Sequence, residues 1–409
     1  MTGFEVADEG SWDRSALPSL RFSGLNRGNK VRQRLGIACR FRIIADERRS
    51  ALHERRGEID MLKFRRVCLE ALSYVLPELV VSSEQIEREL DGVYERLGLH
   101  VGRLELMTGI RARRFWDERT LPSEPAAIAG QRAMDGAGVR ADQIECLIHG
   151  AVSRDCLEPA TASVVHHRLG LSPKAVMYDI SNACLGFING MVNLASMIEL
   201  GQIKRGLVVA AESSRQLVRT TIDRLRQSPT LTRQQFKAAF ASLTIGSGAA
   251  AAVLTDESAS ATGHRVLGGA TRTASEHNHL CRGSDDTGFG GDAAMFMNTD
   301  SETLLIQGCE LAAETWSDFQ QTLGWSACDV DRSFCHQVSV VHRDKLYETL
   351  KLDPTKDFST FVDFGNVGSV SLPLTFAMGV ERNPPKKGER IALLGIGSGL
   401  SCIMLGLEW

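Results

Sequence analysis

The chain has 409 residues, of which 43% are hydrophobic and 24% are charged, and its formal net charge is -3. This length and composition suit one large or two medium globular domains. The near-neutral charge lacks the basic excess that attracts a nucleic-acid backbone, so we expect no nucleic-acid partner.

The cysteines and the apolar stretches narrow the class of protein further. Ten cysteines are scattered singly, without a CxxC pair or a Cys/His cluster at zinc spacing, which indicates a reducing compartment and no metal site. The two longest apolar stretches, 238–254 and 391–407, contain several glycines and fall short of the roughly 18 to 20 residues of a membrane span. We therefore expect a cytoplasmic protein.

Residues 1–60 differ in composition from the rest of the chain. Their many arginines and lysines are nearly matched by acidic residues, and their periodicity is weak. This predicts a disordered N-terminal extension, or a stretch translated from a start upstream of Met61. The acidic residues argue against a transit peptide and weaken the case for an RNA-binding arm.

From Met61 onward, strand and helix patterns alternate, which predicts an α/β layer fold. The N-terminal half, 61–255, is expected to contain a helix that begins with a capping box at Ser82 and Gln85 and a second helix capped by Ser123. Its other predicted elements are strands at 67–74, 144–152, 175–180, 207–211 and 249–254 and a helix at 160–169.

The C-terminal half, 256–409, begins at a Ser-, Ala- and Gly-rich join and repeats the same order of elements. Its predicted elements are helices near 304–323, at 340–350 and from Ser369, a strand ending at Phe334, and strands at 390–394 and 401–405. The repeated order fits two structurally related halves that pack as a pseudo-dimer.

Cys184 is a candidate nucleophile. It follows the strand 175–180 and is expected in the first turn of a helix, 184–200, that is apolar on every side and therefore buried. The positive helix end and its free N–H groups would lower the thiol pKa from about 8.5. The alternative is a small buried core residue.

His336 and Asn366 also lie where chemistry is common in α/β folds. His336, in FCHQVS, follows a strand and precedes a helix, at the sheet edge where open α/β sites lie. Asn366, in DFGNVGS, lies on a glycine-flanked turn and could donate its amide to a developing oxyanion. A structural histidine and a turn-forming asparagine are the alternatives.

Two further segments carry candidate groups. Glu158 precedes Pro159 just before a helix, and its alternative role is an exposed helix-cap carboxylate. The run GIGSGL at 395–400 lies between two strands and opens no helix, so it does not fit a dinucleotide site. Its backbone N–H groups are suited to face an oxyanion instead.

Four strings, taken in order, resemble the Cys-His-Asn set of the ketoacyl synthase III branch of the thiolase superfamily. They are SNACLGF around Cys184, CHQVS around His336, FGNVGS around Asn366 and LLGIGSGLS near the end of the chain. The resemblance covers about Met61 to Trp409. It implies the thiolase fold, a five-layer α/β/α/β/α body made of two related halves.

Longer strings, among them SRDCLEPATAS, HHRLGL and GERIALLGIGSGLS, resemble the acyl-CoA condensing thiolases that begin bacterial long-chain olefin synthesis. In that group of homodimers a glutamate from the neighbouring subunit enters the active site, and the motif places it at Glu158. The Trp and Arg that fatty-acid-initiating synthases use around the coenzyme A adenine stand here as Arg103 and Met107. The coenzyme A contacts are therefore expected to differ.

The reaction that this resemblance implies joins two fatty acyl-CoA molecules. Cys184 takes the first acyl group, with His336 as proton partner and the backbone N–H groups of Cys184 and Ser398 around the oxyanion. Glu158 of the partner subunit removes an α-proton from a second thioester, while His336 and Asn366 stabilise the enolate. The product is a 2-alkyl-3-oxoacyl thioester or acid. No tightly bound cofactor is expected, and downstream olefin-pathway enzymes are candidate partners.

Alternative functions remain open from the sequence. A decarboxylating 3-oxoacyl-acyl-carrier-protein synthase III would share Cys184, His336 and Asn366 but need no glutamate base. A catalytically idle acyl-binding protein would not need the intact set. Degradative thiolases are disfavoured, because they use a second catalytic cysteine in a Cys-Gly context, whereas Cys402 follows the glycine turn here. The segment 283–300, with Met295, Phe296 and Met297, is a candidate wall of an acyl channel.

Overall fold

The computed structural model describes residues 62–283 and 297–409. The predicted N-terminal extension, 1–60, lies outside the described residues, as do Met295 and Phe296 of the candidate acyl-channel wall. Met297 lies at the start of a short strand.

The strands and helices alternate along the described chain, as the sequence predicts. The strands are β1 (Leu62–Lys63), β2 (Val67–Val75), β3 (Leu79–Ser82), β4 (Ala112–Phe115), β5 (Cys146–Gly150), β6 (Val176–Ile180), β7 (Arg205–Glu212), β8 (Gly248–Asp256), β9 (Arg265–Thr273), β10 (Cys281–Gly283), β11 (Met297–Thr299), β12 (Arg332–Cys335), β13 (Arg390–Gly397) and β14 (Ser401–Glu408). The helices are α1 (Ser83–Glu89), α2 (Asp91–Leu97), α3 (Arg103–Thr108), α4 (Ser123–Ala137), α5 (Thr161–Arg168), α6 (Gly186–Glu199), α7 (Arg215–Gln227), α8 (Arg233–Phe240), α9 (Ser301–Leu323), α10 (Val340–Leu350), α11 (Phe361–Phe364) and α12 (Ser371–Arg382).

Two five-stranded halves join into one mixed sheet. The first half has the order β6-β5-β7-β8-β2, and the second has β12-β13-β14-β9 with β1 added to β9. The halves meet where β2 pairs with β9 through Cys68 and Arg265. In the first half β5 runs parallel to β6 and β7, and in the second half β12 runs parallel to β13. The carboxyl ends of these parallel strands lie at one edge of each half, where α/β sites commonly lie.

Alternation of side chains along the strands creates five layers. In β7, Leu207 and Val209 join a cluster with α4 and α5, whereas Val208 and Ala210 face a cluster that contains α6 and α12. The C-terminal half repeats this arrangement, with alternate β13 residues facing α12 on one side and α9 and α10 on the other. Both sheet faces are therefore covered, which explains the continuously apolar strands. The fold is the expected α/β/α/β/α thiolase fold.

Local signals place several elements correctly. The capping box at Ser82 is present, since its hydroxyl accepts from the Gln85 N–H and the Gln85 side chain accepts from the Ser82 N–H. The helix 340–350 has the predicted bounds. The Ser123 prediction is wrong, because Ser123 is the first helical residue and its hydroxyl makes no capping bond. Strand β9, the β3-β4 hairpin and helices α7 and α8 have no counterpart in the sequence predictions.

Candidate active site

Cys184 lies between the end of β6 and the start of α6. Ala183 before it has a φ of 44°, and the Leu185 N–H donates to the Asn182 carbonyl over 2.9 Å. The helix begins at Gly186, so Cys184 precedes the first helical turn rather than lying within it. A Cβ added at Gly186 would lie 2.7 Å from the Gly150 carbonyl, which explains why glycine stands beside the nucleophile.

The Cys184 thiol is neutral at physiological pH in this structure. Burial, with smaller contributions from nearby Cys281 and Glu212, raises the pKa of the thiol to about 12, although a backbone hydrogen bond opposes the rise. The prediction of a lowered pKa is therefore wrong in direction. Desolvation outweighs the helix end, because a thiolate removed from water loses more than partial backbone charges return. The thiol needs a proton acceptor when it attacks.

His336 follows β12 at the carboxyl edge of the second half. Its N–H donates to the Leu394 carbonyl over 2.8 Å, which fixes the residue beside β13. The side chain is buried, and its Nδ1 has no hydrogen-bond partner among residues 62–283 and 297–409. Burial, and to a lesser extent nearby His342, lowers the pKa of His336 to about 4. The imidazole is therefore neutral near pH 7 and able to accept a proton.

The next residue ties this strand end to the segment before Asn366. The Gln337 side-chain oxygen accepts from the Thr360 N–H over 2.6 Å and from the Phe361 N–H over 2.9 Å. The Gln337 amide nitrogen donates to the Phe358 carbonyl over 2.9 Å. Because Gln337 is fully buried, these bonds hold the His336 and Asn366 segments together.

The side-chain oxygen of Asn366 is occupied by hydrogen bonds from its own segment. Its Oδ1 accepts from the Gly368 N–H over 3.0 Å and from the Ser371 hydroxyl over 3.3 Å. Its backbone N–H donates to the Thr244 carbonyl, and its carbonyl accepts from the Gly246 N–H. The bond from an N–H to Oδ1 fixes the amide orientation, since Nδ2 cannot accept it. Nδ2 remains as the donor that an oxyanion requires.

The glycine-rich turn packs against the nucleophile. A Cβ added at Gly397 would lie 3.5 Å from the Cys184 backbone nitrogen and 3.0 Å from Leu185. Ser398 follows Gly397 in the turn between β13 and β14. The predicted oxyanion groups, the N–H groups of Cys184 and Ser398, thus belong to two segments that are in contact.

Glu158 lies in the exposed loop between β5 and α5. The carboxylate of Asp179 caps α5, since it accepts from the Thr161 and Ala162 N–H groups over 2.8 Å each. Glu158 therefore does not cap this helix, which removes its structural alternative. The side chain is exposed, and Asp179, which binds the helix that follows the loop, belongs to β6, the edge strand of the sheet.

The elements bring Cys184, the glycine turn, His336 and Asn366 to one side of the fold. No hydrogen bond joins the side chains of Cys184, His336 and Asn366 in the described part of the chain, which is common before a substrate binds. The predictions missed Glu212 at the end of β7, whose charge acts on Cys184. The signal was a charged residue at the end of the apolar run 206–211.

The described residues contain no group of His, Cys, Asp or Glu that could hold a metal ion. Within the same ranges, no helix is long and apolar enough to cross a bilayer.

Comparisons with known proteins cover both halves of the fold. Residues 178–274 match the family described as 3-oxoacyl-acyl-carrier-protein (ACP) synthase III, and residues 320–409 match its C-terminal domain. An acyl-CoA:acyl-CoA alkyltransferase of Shewanella oneidensis is 40% identical over 352 residues, which are 85% of this chain and 100% of the relative.

A second relative and a solved structure point the same way. The acyl-CoA:acyl-CoA alkyltransferase of Xanthomonas campestris pv. campestris is 39% identical over 346 residues, covering 85% of this chain and 99% of the relative. A crystal structure of Xanthomonas campestris OleA with bound lauric acid and lauroyl-CoA has a TM-score of 0.80 and 38% identity. It covers 85% of this chain and 100% of that one.

Proposed function

This chain belongs to the acyl-CoA:acyl-CoA alkyltransferases of the 3-oxoacyl-acyl-carrier-protein synthase III family, and we propose that it condenses two fatty acyl-CoA molecules without decarboxylation. It is an acyltransferase that forms a carbon-carbon bond. Coenzyme A thioesters serve as both substrates, and the product is a 2-alkyl-3-oxoacyl thioester or acid. The protein works as a homodimer.

The first half-reaction acylates Cys184. Neutral His336 accepts the thiol proton as the sulfur attacks the thioester carbonyl, so that a thiol whose pKa is raised to about 12 need not ionise beforehand. The N–H groups of Cys184 and Ser398 donate to the tetrahedral oxyanion. The thioester bond breaks, and the leaving coenzyme A thiolate takes the proton from His336.

The second half-reaction forms the carbon-carbon bond. Glu158 of the partner subunit removes an α-proton from the second acyl thioester, and His336 and Asn366 stabilise the resulting enolate oxygen. The carbanion attacks the acyl-Cys184 carbonyl, and the bond to sulfur breaks. The Cys184 sulfur leaves as a thiolate and takes up a proton, which balances the α-proton that Glu158 removed and restores both groups. The occupied Oδ1 of Asn366 supports this role, because it leaves Nδ2 to donate.

The observation that carries this proposal is the placement of Glu158. It is exposed, it does not cap α5, and Asp179 of β6 instead binds the first N–H groups of this helix, directly after the Glu158 loop. A decarboxylating synthase obtains its carbanion by losing carbon dioxide and needs no such base. A carboxylate at this position therefore favours the non-decarboxylating reaction.

The edge strand β6 supports the homodimer. Its open side carries Val176 and Met177, which are 50% and 40% exposed in the single chain. A twofold axis beside β6 would pair the edges of two copies, satisfy their backbone groups and cover these side chains. Glu158 stands three residues before Thr161, whose N–H Asp179 of this strand binds, so the same pairing would carry Glu158 toward the partner's Cys184.

Product analysis tests the proposed reaction. Purified protein is incubated with lauroyl-CoA alone, and products are identified by mass spectrometry. We expect a product that contains both lauroyl-derived chains, with no carbon dioxide released by the condensation. Formation of product only after addition of malonyl-acyl carrier protein would instead establish the decarboxylating synthase.

A further inference from the structure

The Glu212 carboxylate, at the end of β7, receives hydrogen bonds from two separate loops. It accepts from the Val152 and Ser153 N–H groups over 3.1 Å each and from the Ser153 hydroxyl over 2.7 Å. It also accepts from the Ser369 hydroxyl over 2.6 Å and from the Ser369 N–H over 3.3 Å. The side chain is buried, with 7% exposed.

The two loops bear different candidate catalytic groups. Val152 and Ser153 begin the loop that carries Glu158, and the Ser153 hydroxyl also accepts from the Ser213 N–H over 3.0 Å. Ser369 follows the turn that holds Asn366. Both loops therefore donate hydrogen bonds to the same Glu212 carboxylate.

The Asn366 turn is shaped to meet this carboxylate. Gly368 has a φ of 56°, and a Cβ added there would lie 3.2 Å from the Glu212 carboxyl group. A side chain at Gly368 would be strained and would press on Glu212. Gly368 also supplies the backbone N–H that orients the Asn366 amide. A shift of the Glu212 carboxylate is therefore passed through Gly368 and Ser369 to Asn366.

We propose that Glu212 is a positioning residue that holds the enolate-stabilising Asn366 of its own active site and, through the 152–158 loop, the Glu158 base of the partner's active site. This inference rests on the proposed function, since it takes the roles of Asn366 and Glu158 from it. Glu212 itself touches no reacting atom in this scheme. A buried carboxylate that accepts five hydrogen bonds is suited to holding two loops in place, because charge-assisted hydrogen bonds are stronger than neutral ones.

Serine substitutions can separate the two links that Glu212 makes, one to the Asn366 turn through Ser369 and one to the Glu158 loop through Ser153. Ser369→Ala weakens the link to Asn366, and Ser153→Ala weakens the link to the Glu158 loop, while Glu212→Ala removes both. In homodimers each change should lower condensation of lauroyl-CoA about 10-fold, the scale of small misplacements of catalytic groups. Acylation of Cys184, followed by intact-protein mass spectrometry, should change less than about threefold. Ser317→Ala, on the exposed face of α9, is the matched control and should change neither.

Mixed dimers show in which subunit each of these two links of Glu212 acts. Every variant is co-expressed with differently tagged Cys184→Ala subunits, so that the only working site has the variant's Cys184 and Asn366 and the Cys184→Ala subunit's Glu158. Ser153→Ala should then regain the activity of a wild-type and Cys184→Ala mixed dimer. Ser369→Ala and Glu212→Ala should stay about 10-fold below it.

The reciprocal pairing tests Glu212 in the base-supplying subunit. A Glu158→Gln subunit supplies the working Cys184, and a Cys184→Ala subunit supplies Glu158, with or without the added Glu212→Ala change. The added change should lower condensation about 10-fold. A purely structural role would not give this subunit dependence, and equal activity of the two dimers would overturn the inference.

The outcomes separate this inference from the proposed function. If Cys184 is not acylated, or if Glu158→Gln condenses normally, the proposed function fails first. If Cys184 is acylated and Glu158→Gln loses condensation, but Ser153→Ala and Ser369→Ala behave alike in mixed dimers, only the positioning role of Glu212 fails. Should Glu212→Ala not fold, the two serine variants still decide the question.

Discussion

The Oδ1 of Asn366 accepts a 3.0 Å hydrogen bond from the backbone N–H of Gly368. This bond fixes which end of the amide is left to donate, because an amide nitrogen cannot accept from an N–H. The structure thereby links a glycine-dependent turn to the group that is proposed to stabilise the enolate.

Asn366→Asp should separate the two half-reactions. An aspartate keeps the acceptor for Gly368 but replaces the donor with a second oxygen, which repels the enolate. We expect condensation to fall roughly 100-fold or more, the scale for a lost oxyanion donor, while Cys184 is still acylated by lauroyl-CoA. Quenched-flow mass spectrometry of acyl-Cys184 beside product formation measures both. Equal losses in the two steps would argue that Asn366 serves acylation as well.

Gly186 should tolerate no side chain. Gly186→Ala places a Cβ 2.7 Å from the Gly150 carbonyl, so α6 must shift away from β5 and take Cys184 with it. We expect unfolding to become easier by about 3 kcal/mol or more and acylation to be largely lost. Gly92→Ala, an exposed position in α2 where an added Cβ meets nothing within 4 Å, is the control and should be neutral or slightly stabilising. Urea denaturation compares the two.

Acid should destabilise the protein partly through His342. Burial lowers the pKa of His342 to about 4, whereas an unfolded histidine binds its proton near pH 6.5. The unfolded state therefore binds more protons below pH 6.5, and stability is lost as the pH falls from about 6.5 toward 4.

His342→Gln removes this contribution. Its loss of unfolding free energy between pH 7 and pH 5 should be smaller than that of the unsubstituted protein by on the order of 2 kcal/mol. Urea titrations at the two pH values give the difference. His336, whose pKa is also lowered to about 4, retains its own share in the variant. Parallel pH dependence in both proteins would refute the buried neutral state of His342.

Sequence patterns were informative where the cause is local. The capping box at Ser82 and the helix 340–350 follow from side chains within a few positions of each other, and both are present as predicted. Strand β9 was missed because Gly268 and Gly269 interrupt its apolar pattern. Those glycines serve distant neighbours, since an added Cβ would lie 2.0 Å from the Leu62 carbonyl oxygen and 1.8 Å from that of Met404.

The site shows the same division between local and distant causes. Motifs pointed to Cys184, His336 and Asn366 as the candidate catalytic residues, and their roles stay predictions. The direction of the Cys184 pKa shift depends on burial, which the local pattern misjudged. Glu212 was missed because its partners are far along the chain: Ser153 is 59 residues away and Ser369 is 157 residues away. A residue whose partners are so distant in sequence can be recognised only once the folded structure is known.

The role of Glu158 as the α-proton base is the central claim, and Glu158→Gln tests it most directly. The glutamine keeps the shape of the side chain but cannot take the proton, so acylation and condensation should become uncoupled. Glu78→Gln, an exposed carboxylate before β3, controls for loss of surface charge and should leave both steps unchanged.

The decisive measurement is the ratio of acyl-Cys184 formation to condensed product when lauroyl-CoA is added to Glu158→Gln. We predict that acylation continues at close to its normal rate while condensation falls roughly 100-fold or more, as for a lost general base. Full condensation by the Glu158→Gln homodimer would contradict the account and put the decarboxylating synthase in its place.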